Sequence, residues 1–249
     1  MQAFSGAEAY DEHAVVQREV AGRLADRIAM LNLPQAAEVC EIGCGTGFLG
    51  EALGGRLPHA SWLATDISPE MLARARRRLA HDPRFAFALV DAEAPDLLEG
   101  RRFDLICSSL AAQWFSDLPA VLDRLASRLK PSGHLLLTTL VEGTFREWIR
   151  AHQEVELAAG SWAYPTRAAL AAMRPRALVG EVEQETRVQA FPDSASFLRS
   201  LRAIGAHTPA AAHSPLSAGA FRRVLRRFEA AGSQVSYVVA TFVYRRLAA

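Results

Sequence analysis

Val39-Cys40-Glu41-Ile42-Gly43-Cys44-Gly45-Thr46-Gly47-Phe48-Leu49-Gly50 places an apolar run, one carboxylate and a string of glycines within a few residues of each other. The run Val39 to Ile42 suits a buried first strand, and the residues from Phe48 onward suit a crossover helix. Between them Gly43, Gly45 and Gly47 can take positive φ, so that backbone N–H groups at the helix N-terminus close on a ligand. Strand, tight loop, helix is the start of an α/β fold, and the loop points to a nucleotide-like cofactor.

Two cofactors compete for that loop. Gly45-Thr46-Gly47-Phe48-Leu49-Gly50 spells the GxGxxG of a dinucleotide turn, with Asp66 at about the distance of its ribose-binding acid. Glu41 separates the two, because a carboxylate before the first glycine gains nothing from a pyrophosphate but attracts a ligand carrying an amino group and a sulfonium. S-adenosylmethionine (SAM) is such a ligand, and E-x-G-x-G-x-G resembles the first motif of class I SAM-dependent methyltransferases. A nicotinamide site remains the alternative.

Outward from the loop, strand and helix alternate. Ser61 to Thr65 reads as a second strand ending at Asp66, Phe85 to Val90 as a third ending at Asp91-Ala92-Glu93, and Phe103 to Cys107 as a fourth followed by Ser108 to Trp114. Ligands of open parallel sheets bind beyond the carboxyl ends of the strands. Asp66 is therefore expected to grip the ribose hydroxyls bidentately, each such charged hydrogen bond contributing about 1.5–3 kcal/mol. Asp91 can accept from the adenine amine, with a solvated turn as its alternative, and Ala92 offers an N–H. Ile67 and Ser108, at the same strand ends, complete the cofactor set. Ser68-Pro69-Glu70 caps a helix running to about Ala80, on which Met71 either covers the adenine or packs in the core.

Before the loop, Val16, Val20, Leu24 and Ile28 recur every fourth residue and predict an amphipathic helix over Asp11 to Leu31. After it come a helix over Leu118 to Leu129, a turn at Lys130-Pro131-Ser132-Gly133 and a strand over His134 to Leu140. Thr144 to Ala159 reads as a helix, followed by the aromatic loop Gly160-Ser161-Trp162-Ala163-Tyr164 and a further helix from Pro165. Val179 to Phe191 and Val235 to Arg246 read as the last two strands, with helices around Phe197–Ile204 and Ala218–Ala231 between them. The expected architecture is one Rossmann-like domain over 1–249, a seven-stranded class I methyltransferase sheet with helical lid insertions at about 142–176 and 193–232.

Hydrophobic residues make up 50 % and charged residues 22 % of the chain, with a formal net charge of +1, so no strong pull toward nucleic acid exists and any charged partner must meet a local patch. No stretch approaches the roughly 18 apolar residues of a membrane span, and the first residues lack a basic leader, from which a cytoplasmic location is expected. Cys40, Cys44 and Cys107 lie in apolar segments without histidines at ligand spacing, and read as buried free thiols rather than a metal site.

At full length, from Phe4 to about Arg246, the sequence resembles the malonyl-acyl-carrier-protein O-methyltransferases of biotin synthesis. The segments that carry the resemblance are Tyr10-Asp11-Glu12-His13 with Gln17-Arg18, the glycine loop, and Asp66-Ile67-Ser68-Pro69-Glu70-Met71-Leu72. More specific are Ser108-Ser109-Leu110-Ala111-Ala112-Gln113-Trp114, Thr138-Thr139-Leu140-Val141-Glu142-Gly143-Thr144 and Phe197-Leu198-Arg199-Ser200-Leu201-Arg202-Ala203-Ile204-Gly205-Ala206. Two positions depart from it: Ser109 stands where asparagine is frequent, and Arg202 where lysine is common, which keeps the charge and adds a planar fork. The resemblance implies methyl transfer from SAM to the free carboxylate of a malonyl group on an acidic carrier protein. A methyltransferase for another small acid or natural product, and a non-catalytic SAM-binding protein, are the other readings.

Such a reaction needs no general base, since a carboxylate with a pKa near 4 is ionised at pH 7. It needs alignment and exclusion of water. Tyr10, His13, Gln113 and Trp114 are the residues expected to shape the acceptor site, with a plain core position as the alternative for Trp114. Arg199 and Arg202, at i and i+3, can clamp the malonyl carboxylate or form a solvated stripe. Arg222, Arg223, Arg226 and Arg227 lie opposite Phe221, Val224, Leu225 and Phe228, as either a docking stripe for the carrier or an ordinary helix surface.

Overall fold

The computed structural model describes residues 10–94, 96, 98–161, 163–204 and 216–248. Phe4, Trp162, Gly205 and Ala206, named above, lie outside these residues. The chain runs α1 (Tyr10–His13), α2 (Val15–Ala29), β1 (Glu38–Ile42), α3 (Phe48–Gly54), β2 (Ser61–Asp66), α4 (Pro69–Arg78), β3 (Phe85–Leu89), β4 (Phe103–Ser108), α5 (Leu118–Ser127) and β5 (Leu129–Leu140). It continues with α6 (Arg146–Gln153), α7 (Arg167–Ala172), β6 (Leu178–Ala190), α8 (Ser194–Ala203), α9 (Ala218–Ala230) and β7 (Gln234–Arg246). The strands form one seven-stranded sheet in the order β3-β2-β1-β4-β5-β7-β6.

Parallel pairing joins β1 to β2 and β4, β2 to β3, and β4 to β5. From β1 the chain winds outward through β2 and β3, then returns to β4 on the other side of β1. That reversal makes the crevice beyond the ends of β1 and β4 the topological switch point, where ligands of such sheets bind. The glycine loop leaves β1 there, and the segment from Ser108 leaves β4.

Local sequence accounts for most element ends. Ser68 accepts from the Met71 N–H and precedes Pro69, and Asp117 accepts from the Ala120 N–H ahead of Leu118-Pro119, so both helices begin with a cap and an early proline. Val20, Leu24 and Ile28 are buried with Ala21 and Ala25 along one face of α2. The single helix expected over Asp11 to Leu31 is instead divided at Ala14, whose N–H still bonds the Tyr10 carbonyl at 2.8 Å.

Two further expectations change. The Lys130–Gly133 turn lies inside β5, where the register passes from Phe103↔Leu129 to Leu105↔His134, so the extra residues form a bulge. Ser132 has φ 63°, and a Cβ on Gly133 would stand 3.0–3.2 Å from the carbonyl oxygens of Lys130, Phe103 and Asp104. The helix expected from Thr144 starts at Arg146, because the Thr144 hydroxyl is bonded to the Val238 backbone and Phe145 has φ 61°.

The described residues divide into two compact units, one of 17–139, 167–184 and 240–248, the other of 10–16, 140–166 and 185–239. The first holds β1 to β4 with α3, α4, α5 and α7. The second holds α1, α6, α8 and α9 around an aromatic interior. There Phe197 meets Phe145, Trp148, Phe191 and Phe228 with ring centroids 5.2–6.1 Å apart.

Candidate active site

In the first unit the loop after β1 is shaped by backbone bonds. Cys44 N–H donates to the Thr65 carbonyl at 2.8 Å, which ties the loop to β2, and Gly47 N–H closes on the Cys44 carbonyl at 2.9 Å. Gly43 has φ +64°, and a Cβ built on it would stand 2.5 Å from Ala111 Cβ, so the loops after β1 and β4 touch only because position 43 has no side chain. At Gly45 a Cβ would meet nothing within 4 Å. The loop is tight beneath and open above.

Glu41 is 1 % exposed at the end of β1, and its Oε2 has no hydrogen-bond partner. Burial pushes its carboxyl up to about 8, and the neighbouring Asp66 carboxylate adds to the shift. Asp66 ends β2 with both oxygens engaged: Oδ2 accepts from the Gly45 N–H and Oδ1 from the Ser68 N–H, each at 2.8 Å. Burial raises its pKa while the Ser68, Gly45 and Ile67 amides oppose the rise. The bidentate ribose grip expected of Asp66 therefore has to use the second lone pair of each oxygen. Thr46 Oγ1, also buried, lacks a partner in the same loop. Buried unpaired polar atoms beside open space fit a ligand with a cationic amino group and sugar hydroxyls, as SAM has.

Met71 is buried on α4, while Ile67 is 48 % exposed just after β2. Asp91 is exposed and its Oδ1 accepts from the Glu93 N–H at 2.8 Å, and Ala92 between them is buried. Beyond β4, Ser108 is fully buried with its hydroxyl unpartnered, as is the Ser109 hydroxyl. Leu110 has φ 51° and donates its N–H to Thr138 Oγ1 at 2.8 Å. Gln113 donates to the Leu110 carbonyl at 2.6 Å, leaving its own amide oxygen unpartnered. Trp114 is 47 % exposed, which excludes the core position considered for it. Cys40, Cys44 and Cys107 are buried free thiols, their pKa values raised first by burial.

Tyr10 and His13 belong to the second unit, where α1 packs against α8. Arg199 and Arg202 are exposed on α8, so these four residues lie on two adjoining helices. Arg199 donates to Ser196 Oγ at 2.8 Å and lies 4.0 Å from Asp193. On α9, Arg222, Arg223, Arg226 and Arg227 are all exposed, while Val224 and Phe228 are buried.

Sequence reasoning missed the pairing of Gly43 with Ala111, the Thr138 hydroxyl beneath Leu110 and the bonds that Glu93 accepts from Ser116 and Asp117. The signal available was the resemblance, whose segments include Gly43, Ala111 and Thr138; Glu93 carried none. Among the described residues no helix is long and apolar enough to cross a membrane, and no group of three His, Cys, Asp or Glu residues is placed to hold a metal ion.

A methyltransferase-domain family matches residues 40–135. The malonyl-acyl-carrier-protein O-methyltransferase of Magnetococcus marinus is 40 % identical over 246 residues, covering 98 % of this chain and 90 % of that protein. The biotin biosynthesis bifunctional protein BioCD of Bordetella avium is 44 % identical over 242 residues, 97 % of this chain and 51 % of that protein, so the chain spans about half of its length. Among solved structures, a methyltransferase-like protein from Bacillus halodurans superposes with a TM-score of 0.62 at 13 % identity, covering 90 % of this chain and 98 % of that one. At that identity the likeness concerns the fold alone.

Proposed function

Since the chain belongs to the malonyl-acyl-carrier-protein O-methyltransferase family, we propose that it methylates the free carboxylate of a malonyl group carried on an acyl carrier protein, an early step of biotin synthesis, with the cytosol as its expected location. The chain is a SAM-dependent methyltransferase of the class I fold. The observation that carries the substrate assignment is the relationship to the Magnetococcus protein over nearly all of both chains. When bound, SAM supplies an electrophilic methyl group on a sulfonium.

The protein's own residues bind, orient and exclude water. Glu41 takes the cofactor amino group, giving its unpaired Oε2 a cationic partner. Gly43 and Gly45 let the loop backbone approach, and Asp66, held by the Gly45 and Ser68 amides, presents its free lone pairs to the ribose. Ile67, Met71, Asp91, Ala92 and Ser108 surround the rest of the nucleoside. No residue has to remove a proton, because the acceptor is an anion at pH 7. Gln113 and Trp114 orient the acceptor and keep water away from it, which is catalysis by proximity.

Tyr10 and His13 line the acceptor, and Arg199 and Arg202 hold its carboxylate. A carboxylate paired on both oxygens would be a poor nucleophile, so one oxygen is held and one left free. The exposed arginines of α9 attract the acidic carrier.

The test is methyl transfer from SAM to malonyl-carrier protein beside malonyl-CoA and free dicarboxylates. The expected result is methyl ester and S-adenosylhomocysteine with the carrier-bound substrate preferred. A preference for a free dicarboxylate, or tight S-adenosylhomocysteine binding without turnover, overturns it. Neutralising Arg222, Arg223, Arg226 and Arg227 should raise KM for the carrier-bound substrate alone, with wild type approaching the variant as salt shortens the field to about 10 Å or less. Equal loss on malonyl-CoA would remove the docking role.

A further inference from the structure

Glu93 has no part in the steps above, yet it fastens the segment that carries Gln113 and Trp114. That segment leaves β4 at Ser108 and is tethered at its start by the Leu110 N–H to Thr138 Oγ1. At its end a single oxygen, Glu93 Oε1, accepts from the Ser116 N–H at 2.9 Å, the Ser116 hydroxyl at 2.7 Å and the Asp117 N–H at 3.0 Å. Between the tethers runs one short 3-10 turn, Ala112–Trp114, closed by local bonds from Trp114 N–H to the Ala111 carbonyl and from Phe115 N–H to that of Ala112.

The other end of the tie is equally defined. The Glu93 N–H donates to Asp91 Oδ1 at 2.8 Å, and Ala94 N–H to the Asp91 carbonyl at 3.2 Å, so Glu93 projects from a turn organised by Asp91. The Ser116 hydroxyl, with the Asp117 and Ser116 amides, holds the Glu93 carboxyl below the usual carboxylate range, so the accepting oxygen stays charged at neutral pH.

We propose that Glu93 is a positioning residue for methyl transfer, joining the turn at the end of β3 to the Gln113–Trp114 segment so that cofactor binding at one orders the other. Its role rests on the assignment of Asp91 to the cofactor and of Gln113 and Trp114 to the acceptor. A carboxylate that merely capped the start of α5 would contribute to stability and leave cofactor binding uncoupled from this segment. A displacement of about 1 Å at an acceptor site can cost on the order of 100-fold in rate, so the tie has a kinetic consequence beyond the fold.

The test uses the full chain with Glu93→Ala and Glu93→Gln. In wild type, S-adenosylhomocysteine should slow amide exchange across residues 108–117, and in Glu93→Ala that slowing should vanish while the calorimetric Kd stays within about threefold. Turnover per acceptor KM should fall by about 10- to 100-fold in the alanine variant. Glu93→Gln should recover most of both losses, because its amide oxygen keeps two lone pairs to accept from the Ser116 and Asp117 donors. Equal slowing of exchange in wild type and Glu93→Ala overturns the tie, as does a Kd that rises in step with the loss of turnover. Should the wild type fail to methylate malonyl thioesters, the substrate assignment falls, while ligand-induced slowing that depends on Glu93 would still support the coupling.

Discussion

At the ends of β1 and β4 several buried polar atoms lack partners, namely Glu41 Oε2, Thr46 Oγ1 and the Ser108 and Ser109 hydroxyls. In the aromatic unit Arg187 Nε is also buried without a partner, but the polar groups beside the ring cluster are paired. Glu147 accepts from the Ser236 N–H and hydroxyl at 2.8 and 2.6 Å, Glu229 accepts from the Ser194 hydroxyl at 2.6 Å, and Thr144 bonds the Val238 backbone. Each buried polar group left unpaired costs about 1–3 kcal/mol. The ring cluster is thus closed by its own partners, whereas the unpartnered atoms at the strand ends leave donors and acceptors open to a ligand.

The largest expected effect probes the stable side. Phe197 is fully buried among four rings, so Phe197→Ala should lower stability by about 3–5 kcal/mol in denaturant unfolding. A loss under about 1 kcal/mol would mean that this interior is not the packed core described. Next comes the cradle, where Gly43→Ala should weaken S-adenosylhomocysteine by about 100-fold or more, since a methyl group at 2.5 Å from Ala111 Cβ must push the two loops apart. Near-normal affinity by calorimetry would show that the loops separate freely. Ala111→Gly in the same chain should recover part of the loss.

A smaller effect separates stability from binding through Glu41. Its folded pKa of about 8 lies above the ordinary carboxylate value of 4.5, so between these values the folded carboxyl holds a proton that the unfolded one has released. The stability it contributes is fully present below about 4.5 and is lost as pH rises toward 8, with a slope of at most about 1.4 kcal/mol per pH unit. Thermal unfolding of the ligand-free protein should therefore show wild type losing stability relative to Glu41→Gln over that range. Parallel curves would mean that the carboxyl is ionised throughout. The smallest effect is expected at His13, where His13→Gln should leave kcat at saturating cofactor nearly unchanged and flat between about pH 6 and 8, the acceptor needing no base. A bell-shaped wild-type profile lost in the variant would make His13 a working base.

The glycine loop, the five alternating strands that begin at Val39 and the cap at Ser68 were all legible along the chain, because each depends on neighbours within about four residues. The family was legible as well, in segments such as Ser108 to Trp114. Less was legible where contacts are distant. Asp66 announced itself as a ribose acid, but its oxygens are already shared with Gly45 and Ser68. Trp114 read as shaping the acceptor site or as a plain core residue until the short turn after β4 left it exposed.

By itself the sequence determined the alternation of elements, the backbone freedom of Gly43 and Gly45 and the kinds of side chain at the strand ends, since these follow from covalent geometry and local periodicity. Only the tertiary structure decided which side chains meet: Gly43 with Ala111, Glu93 with Ser116, Glu147 with Ser236. Those partners are 68, 23 and 89 positions apart, so nothing local selects them. For the first of them the strand order makes the selection, because placing β4 beside β1 brings the loops that follow these strands into contact. That order is set by burial of the whole sheet, to which every strand contributes and no single motif corresponds.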